Sequence, residues 1–152
     1  MVRFYSVSGD AFPNVKRATK GSNAYDLCAH LPNPIEVPPL GRVVVPTDVA
    51  VDLDGRYGFV LPRSGMAAKY GITVLNSPGL IDSDYQGEIV VILYNSNPSK
   101  SIVIEPGDRV AQLLIQRPAS FGVIMEDGSA YSEWRNSVQT ERGDGGFGST
   151  GA

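Results

Sequence analysis

The stretch NSPGLIDSDYQGEI, from Asn76 to Ile89, decides the fold. It lies between two apolar runs, 72–75 and 89–94, which are rich in the β-branched and aromatic residues typical of strands. Its proline and its glycines indicate turns. We therefore interpret the stretch as a hairpin-like excursion from a β-sheet.

The polar residues of this hairpin are unusual for a simple connector. Asp82 and Asp84 lie two residues apart, and Tyr85 follows them. On an extended backbone the two carboxylates would share one face and the Tyr85 ring would lie on the other. Such a hairpin would present a carboxylate to one end of a ligand and an aromatic ring to another part. An acidic turn with a half-buried tyrosine is the alternative interpretation.

The composition limits the classes of function. The 152 residues fit one domain, and the net charge of −3 gives no sign of nucleic-acid or membrane binding. Cys28 is the only cysteine, which excludes an intrachain disulfide and suits a cytoplasmic protein, with a nuclear or virus-associated one left open. His30 is the only histidine, so Ser-His-Asp and Cys-His mechanisms are poorly supported. We expect neither a signal peptide nor a membrane span.

Short apolar runs recur along the chain between turn residues. This spacing predicts an all-β sandwich, barrel or jelly roll, without an internal repeat. We expect one domain, with a β core over 1–127, a polar arm over 128–141 that Trp134 could anchor, and a Gly-rich tail over 142–152. The further runs are 3–7, 35–37, 42–45, 49–53, 57–61, 101–104, 110–116 and 121–126.

One segment, Ser64 to Gly71, has a helical pattern. Ser64 is the expected N-cap, and Gly71 the expected left-handed residue that ends the helix. Arg63 precedes the segment, so a guanidinium, a hydroxyl and free N–H groups would form an anion site. A capped helix with Arg63 in a surface ion pair is the alternative.

The Gly-rich tail also allows two interpretations. It is either a disordered terminus or a flap that closes over a ligand. As a flap, its glycines would let backbone N–H groups approach phosphates, Arg142 would supply positive charge, and Phe147 would stack on a base.

Taken together, these stretches resemble the trimeric deoxyuridine triphosphatase (dUTPase) family. Five ordered motifs carry the resemblance, which covers nearly the whole chain. They are 24–27 (AYDL), 62–72 (PRSGMAAKYGI), 79–88 (GLIDSDYQGE), 106–113 (PGDRVAQL) and 142–151 (RGDGGFGSTG).

The resemblance implies a jelly-roll β subunit with one short helix, assembled as a homotrimer. Each active site would be shared, with motifs one, two and four from one chain, motif three from a second and motif five from a third. It also implies that water attacks the α-phosphorus of dUTP with the help of Mg²⁺, giving dUMP and pyrophosphate. This reaction keeps uracil out of DNA and supplies dUMP for dTMP synthesis.

The resemblance also implies roles for individual residues. Asp82 would be the general base, Asp26 would help to place Mg²⁺ through a water, and Tyr85 would exclude a 2′-hydroxyl. The remaining substrate-binding residues are Asn76 and Gly79 at the uracil, Arg63, Ser64, Gly65 and Gln112 at the phosphates, Phe147 over the base, and Arg142, Gly148, Ser149 and Thr150 in the closing tail.

The sequence departs from the family pattern in places. Ala24 replaces a more usual glycine, Cys28 stands where a basic residue is common, and Asp144 adds an acid beside Arg142. Two alternatives remain: a dCTP deaminase of the same fold, and a regulatory protein that has kept the nucleotide site and binds a partner through 128–141. A purely structural protein is the least favoured interpretation.

Overall fold

The described part of the protein is built of β-strands with two short helices. Its structure, a computed structural model, describes residues 1–9, 13–120 and 122–137. The strands are β1 (Arg3–Ser6), β2 (Val15–Lys16), β3 (Ala24–Cys28), β4 (Ile35–Val37), β5 (Arg42–Pro46), β6 (Val49–Asp52), β7 (Tyr57–Leu61), β8 (Ile72–Val74), β9 (Gly79–Ile81), β10 (Val90–Asn95), β11 (Ile102–Ile104) and β12 (Arg109–Gln116). The helices are α1 (Ser64–Tyr70) and α2 (Gly128–Ser137).

The strands form small antiparallel sheets. The largest has the order β2-β3-β12-β7-β9, and a second has the order β5-β10-β8. Two further pairs, β1-β6 and β11-β4, complete the pairing among the described residues. The prediction of an all-β protein is confirmed, and most of the runs identified from the sequence are strands.

Alternating side chains of these strands form the core. On β5 and β10, for example, Val45, Val91 and Leu93 are fully buried, whereas Val44 and Val90, which directly precede Val45 and Val91, are 59% and 45% exposed. Burial of every second residue is what one covered face of a sheet requires. Cys28 is also buried, as expected, and this burial raises the pKa of its thiol.

Residues 122–126 form no strand, so the prediction of a strand over 121–126 is wrong for these residues. Val123, Ile124 and Met125 are apolar, but they are 71%, 82% and 94% exposed. A strand needs a neighbour for its backbone hydrogen bonds, and no described strand pairs with this segment. The short strands β2, β3 and β9 were not identified as strands from the sequence.

Part of the polar arm is helical, which the sequence analysis did not anticipate. Helix α2 begins after Asp127, whose Oδ1 accepts hydrogen bonds from the backbone N–H groups of Ser129 (2.9 Å) and Ala130 (3.2 Å). This is the capping role that aspartate favours. The chain separates into two compact units, Met1–Pro118 and Ala119–Ala152, whereas the sequence pattern suggested a core that extends to residue 127.

The ends of α1 agree with the sequence only in part. Gly71 is left-handed (φ 66°) and donates its N–H to the Ala67 carbonyl, as predicted. The N-cap, however, is Arg63, and Ser64 is the first helical residue. Arg63 has extended backbone angles and makes no side-chain capping bond, so its guanidinium is available for other contacts.

Asp48 joins β1 to the start of β6 and is expected to contribute to stability. Its carboxylate accepts hydrogen bonds from the Ser6 hydroxyl (2.6 Å) and the Ser8 backbone N–H (2.7 Å). The Ser6 bond is the main reason why the pKa of Asp48 lies below its ordinary value of 3.8. Because the folded state favours the ionised form, this contribution is present above pH 3.8 and is lost as the pH falls through the lower folded-state pKa.

We expect Asp48→Asn to lower the melting temperature at pH 7 by a few degrees. Asparagine tolerates the positive φ of 60° at this position, so the change tests the charge rather than the backbone. Thermal denaturation of both proteins between pH 7 and pH 2 would check this. A difference that stays constant over the whole range would contradict the assignment to the Asp48 charge.

Candidate active site

The five-stranded sheet brings three of the predicted residues together. Asp26 on β3 lies opposite Gln112 on β12, and Gln112 lies opposite Leu61 at the end of β7. Arg63 follows Leu61 by two residues and is the N-cap of α1. Register alone therefore places motifs one, two and four side by side.

Asp26 is the electrostatic centre of this group. It is only 6% exposed, and its two oxygens accept hydrogen bonds from different arginines. Arg63 Nε lies 3.0 Å from Oδ1, and Arg109 Nη1 lies 3.2 Å from Oδ2. Two guanidiniums on one carboxylate leave a net positive charge at the site, which suits an anionic ligand.

The Gln112 side chain and the start of α1 complete this cluster. Gln112 Nε2 donates to the Pro62 carbonyl (2.9 Å), which ties β12 to the segment that leads into α1. Ser64 and Gly65 are exposed, and a Cβ at Gly65 would meet nothing within 4 Å. The backbone there is open to a ligand. We call Asp26, Arg63, Ser64, Gly65, Arg109 and Gln112 the arginine cluster.

The hairpin residues form a second group, which β9 positions. Gly79 of β9 pairs with Val60 and Ile81 pairs with Gly58, both on β7. Asp82 directly follows this strand and is exposed. The backbone then turns, because the Tyr85 N–H donates to the Asp82 carbonyl (3.2 Å). The expectation of extended backbone from Asp82 to Tyr85 is therefore wrong.

Tyr85 is held at the base of this turn. Its hydroxyl donates to the Glu88 carbonyl (2.9 Å), while its ring remains 43% exposed. The Glu88 carboxylate accepts hydrogen bonds from the N–H groups of Thr47 (2.9 Å) and Asp48 (2.7 Å). The hairpin is thus fixed to the β5–β6 connection.

Asn76 lies against Gly79 at the other side of the hairpin. A Cβ at Gly79 would come within 3.0 Å of Asn76 Nδ2 and 3.5 Å of the Val60 Cβ. Because Gly79 has no side chain, the Asn76 amide and the β9 backbone can approach each other closely. We call Asn76, Gly79, Asp82 and Tyr85 the hairpin cluster.

Asp82 and Arg63 lie at opposite ends of β7. Asp82 lies beside Tyr57 at the beginning of the strand, as the register of β9 requires, whereas Arg63 follows its end. Six residues of extended chain span about 20 Å. One copy of the chain therefore does not bring Asp82 and Arg63 together, although each belongs to a cluster with defined contacts.

Some predicted residues lie outside the described residues. They are Arg142, Phe147, Gly148, Ser149 and Thr150, together with Asp144. Among residues 1–9, 13–120 and 122–137, no three His, Cys, Asp or Glu side chains gather in a way that could hold a metal ion. In the same part of the chain, no helix is long and apolar enough to cross a membrane.

Sequence reasoning assigned no role to Arg109, Gly87 or Glu88, although all three lie within the quoted motifs. Arg109 follows Asp108 at the start of β12, and the antiparallel register of β12 with Cys28 on β3 carries its side chain towards Asp26. The contact between Arg109 and Asp26 could have been predicted if the first and fourth motifs had been paired as neighbouring strands. No sequence signal indicates the hydrogen bonds of the Glu88 carboxylate, because their donors, Thr47 and Asp48, are distant from Glu88 in the sequence.

Comparison with known proteins agrees with this geometry. A family model described as dUTPase matches residues 10–151. The deoxyuridine 5′-triphosphate nucleotidohydrolase of Treponema pallidum subsp. pallidum is 45% identical over 152 residues, which cover 99% of this chain and 97% of that protein.

Two solved structures share the fold. Staphylococcus bacteriophage 80alpha dUTPase, solved as a mutant with dUpNHpp, has a TM-score of 0.73 at 24% identity, with 100% of this chain and 99% of that chain covered. The dUTPase of phage phi11 of S. aureus, whose structure describes a structural Mg(II) ion, has a TM-score of 0.71 at 21% identity, with 84% and 97% covered. On the family model and the Treponema relative, this chain is an enzyme of the dUTPase family.

Proposed function

We propose that the chain hydrolyses dUTP at its α-phosphorus and releases dUMP and pyrophosphate. The observation that carries this proposal is the Asp26 carboxylate between Arg63 and Arg109, beside Gln112 and the open start of α1. A triphosphate is strongly anionic, and its hydrolysis needs charge neutralisation and alignment more than a covalent nucleophile. The arginine cluster supplies both.

Asp82 is the proposed general base. It accepts a proton from the attacking water, whose oxygen forms a bond to the α-phosphorus. The bond from the α-phosphorus to the oxygen that bridges it to the β-phosphorus breaks at the same time. Pyrophosphate leaves with the electron pair. Asp82 suits this role because it is an exposed carboxylate at the end of a strand that the β7 pairing holds in place.

The hairpin cluster is the proposed site for the nucleoside. The β9 backbone and Asn76 would hydrogen-bond the uracil edge, and a close fit there would exclude the methyl group of thymine. Cytosine would leave donors and acceptors of the pocket unpaired, which is costly in a desolvated site. The Tyr85 ring would pack against the deoxyribose and leave no room for a 2′-hydroxyl.

Mg²⁺ is the proposed metal, and the residues present fit an ion that arrives with the triphosphate. Asp26 is the single carboxylate of the arginine cluster, and both its oxygens already face guanidiniums, so it would meet the ion only through water. When bound, the ion would neutralise phosphate charge and align the chain of phosphates.

A homotrimer with shared sites is the proposed assembly. The separation of Arg63 and Asp82 supports it, because the phosphates and the general base must meet at one substrate. The outer face of the β5-β10-β8 sheet also supports self-association: Val44, Leu75 and Val90 are 59%, 47% and 45% exposed there. An apolar surface of this kind is typical of a contact between proteins.

The remaining assignments concern the tail, the arm and the compartment. Arg142, Phe147, Gly148, Ser149 and Thr150 are proposed to close over the bound nucleotide. A cytoplasmic location is proposed because the single cysteine forms no disulfide within the chain.

A second candidate function, binding of a protein partner at 128–141, is favoured by the exposed side chains of Tyr131 (55%) and Trp134 (60%). Trp134→Ala would abolish such binding and Asp82→Asn would not.

Hydrolysis in ¹⁸O-labelled water tests the site of attack. If water attacks the α-phosphorus, the label enters dUMP and the released pyrophosphate carries none. Mass spectrometry of the two products would distinguish this from attack at the β-phosphorus. Label in pyrophosphate would contradict the mechanism while leaving the family assignment intact.

We expect Asp26→Asn to raise the KM for dUTP roughly tenfold, because an uncharged amide holds the two guanidiniums less firmly. Steady-state kinetics at saturating Mg²⁺ would measure the change, with Glu36→Gln, an exposed acid on β4, as the control. Binding of inorganic pyrophosphate in EDTA should weaken as well. An effect seen only when Mg²⁺ is present would contradict a role in holding Arg63 and Arg109.

A further inference from the structure

We propose that Gly87 is a positioning residue that determines specificity for deoxyribose, because it makes room for the Tyr85 side chain. The proposal rests on the function proposed above and deepens it. It starts from the packing between these two residues, which lie two positions apart in the hairpin. A Cβ at Gly87 would lie 2.5 Å from the Tyr85 hydroxyl oxygen, 2.7 Å from Cζ and 3.2 Å from Cε2.

The distances to the hydroxyl oxygen and to Cζ are shorter than any stable contact between such atoms, so a residue other than glycine must displace the ring. The backbone of Gly87 is not in the left-handed region, in contrast to Gly9, Gly55, Gly71 and Gly107. Glycine is therefore required at position 87 for space and not for backbone conformation. The backbone conformation at position 87 would accept alanine, and only the steric overlap of its Cβ with the Tyr85 side chain disfavours it.

The chain that follows Gly87 is anchored, so Gly87 cannot easily move away. The Glu88 carboxylate accepts two backbone hydrogen bonds from 47–48, and the Ile89 N–H donates to the Val49 carbonyl (2.7 Å). The Thr47 hydroxyl donates to the Ile89 carbonyl (2.5 Å). The Tyr85 ring, in contrast, is 43% exposed and is held by one hydrogen bond to the Glu88 carbonyl.

An added methyl group therefore moves the ring rather than the backbone. The hydroxyl of Tyr85 would lose its hydrogen bond to the Glu88 carbonyl, and the ring would leave the position in which it covers the proposed sugar site. Since the ring is proposed to exclude a 2′-hydroxyl, the consequence is a loss of discrimination between dUTP and UTP. The fold is expected to stay intact, because the displaced group is the far end of an exposed side chain.

The test compares four proteins in a double-mutant cycle: wild type, Gly87→Ala, Tyr85→Ala and the double variant. The ratio of kcat/KM for dUTP to that for UTP should fall about tenfold or more in Gly87→Ala. In the Tyr85→Ala background the same change should have no further effect, because the ring it displaces is absent. Gly21→Ala is the matched control, since a Cβ there would meet only Thr19 Oγ1, at 4.0 Å.

An unchanged ratio in Gly87→Ala, or effects that simply add in the double variant, would overturn the proposal. A second readout does not depend on catalysis. In ¹³C-tyrosine NMR, the Tyr85 ring signal, identified by its absence in Tyr85→Phe, should shift in Gly87→Ala and stay in place in Gly21→Ala. An unmoved signal would overturn the proposal, whereas failure of the wild type to hydrolyse dUTP would instead contradict the proposed function.

Discussion

Asp82→Asn is expected to lower kcat by about a hundredfold to ten-thousandfold while leaving nucleotide binding nearly unchanged, because general-base catalysis contributes about 10²–10⁴. The amide keeps the size and polarity of the carboxylate but does not accept a proton from water. The side chain is exposed at the end of β9, so the fold does not depend on it. Single-turnover kinetics and calorimetry with a non-hydrolysable dUTP analogue would separate the two effects.

Asp84→Asn is the matched control for this variant. Asp84 is the other exposed acid of the same turn, and its replacement removes the same charge from the same surface. We expect nearly normal turnover, because the catalytic role is assigned to Asp82 alone. If both variants lost activity equally, the effect would come from the charge of the turn and not from a general base.

The second large effect is expected when two inactive variants are combined. Asp82→Asn and Arg63→Gln should each lose at least about a hundredfold in kcat/KM, since each removes a group that acts on the reacting phosphates. Within one chain these residues lie at opposite ends of β7. If a working site takes Asp82 from one chain and Arg63 from another, a hybrid assembly contains sites in which both residues are intact.

Co-expression or joint refolding of the two variants should therefore restore activity. With random assembly of equal amounts, about a quarter of the sites would regain both residues. Native mass spectrometry of differently tagged chains would show that hybrids have formed. Hybrids that are no more active than the separate variants would contradict the shared site.

The strands were largely predictable because short runs of β-branched and aromatic residues between turn residues favour strands. β5 and β10 coincide with two such runs, but the successive apolar residues there did not indicate that Val44 and Val90 would be exposed. Helix α2 was missed because polar residues dominate it and its signal is the single Asp127 cap. The strand predicted for 121–126 is not formed over 122–126, because an apolar composition alone does not provide a neighbouring strand to pair with.

The site was predictable as a set of residues but not as an arrangement. Asp26, Arg63 and Gln112 were assigned from motifs, and sheet register brings them together. The Arg109 contact with Asp26 and the anchoring of Glu88 on 47–48 depend on long-range pairing, which local sequence does not encode. The turn at Asp82–Tyr85 replaced the expected extended backbone, because the Tyr85 N–H bonds the Asp82 carbonyl.

The most direct test of the proposed function is hydrolysis of dUTP, dCTP, dTTP and UTP by the purified protein, with Mg²⁺ and with EDTA. Pyrophosphate and ammonia would be followed separately in each reaction. We predict pyrophosphate from dUTP alone, lost in EDTA, with no ammonia from any nucleotide. Ammonia from dCTP, or no release of pyrophosphate from dUTP, would contradict the proposed function.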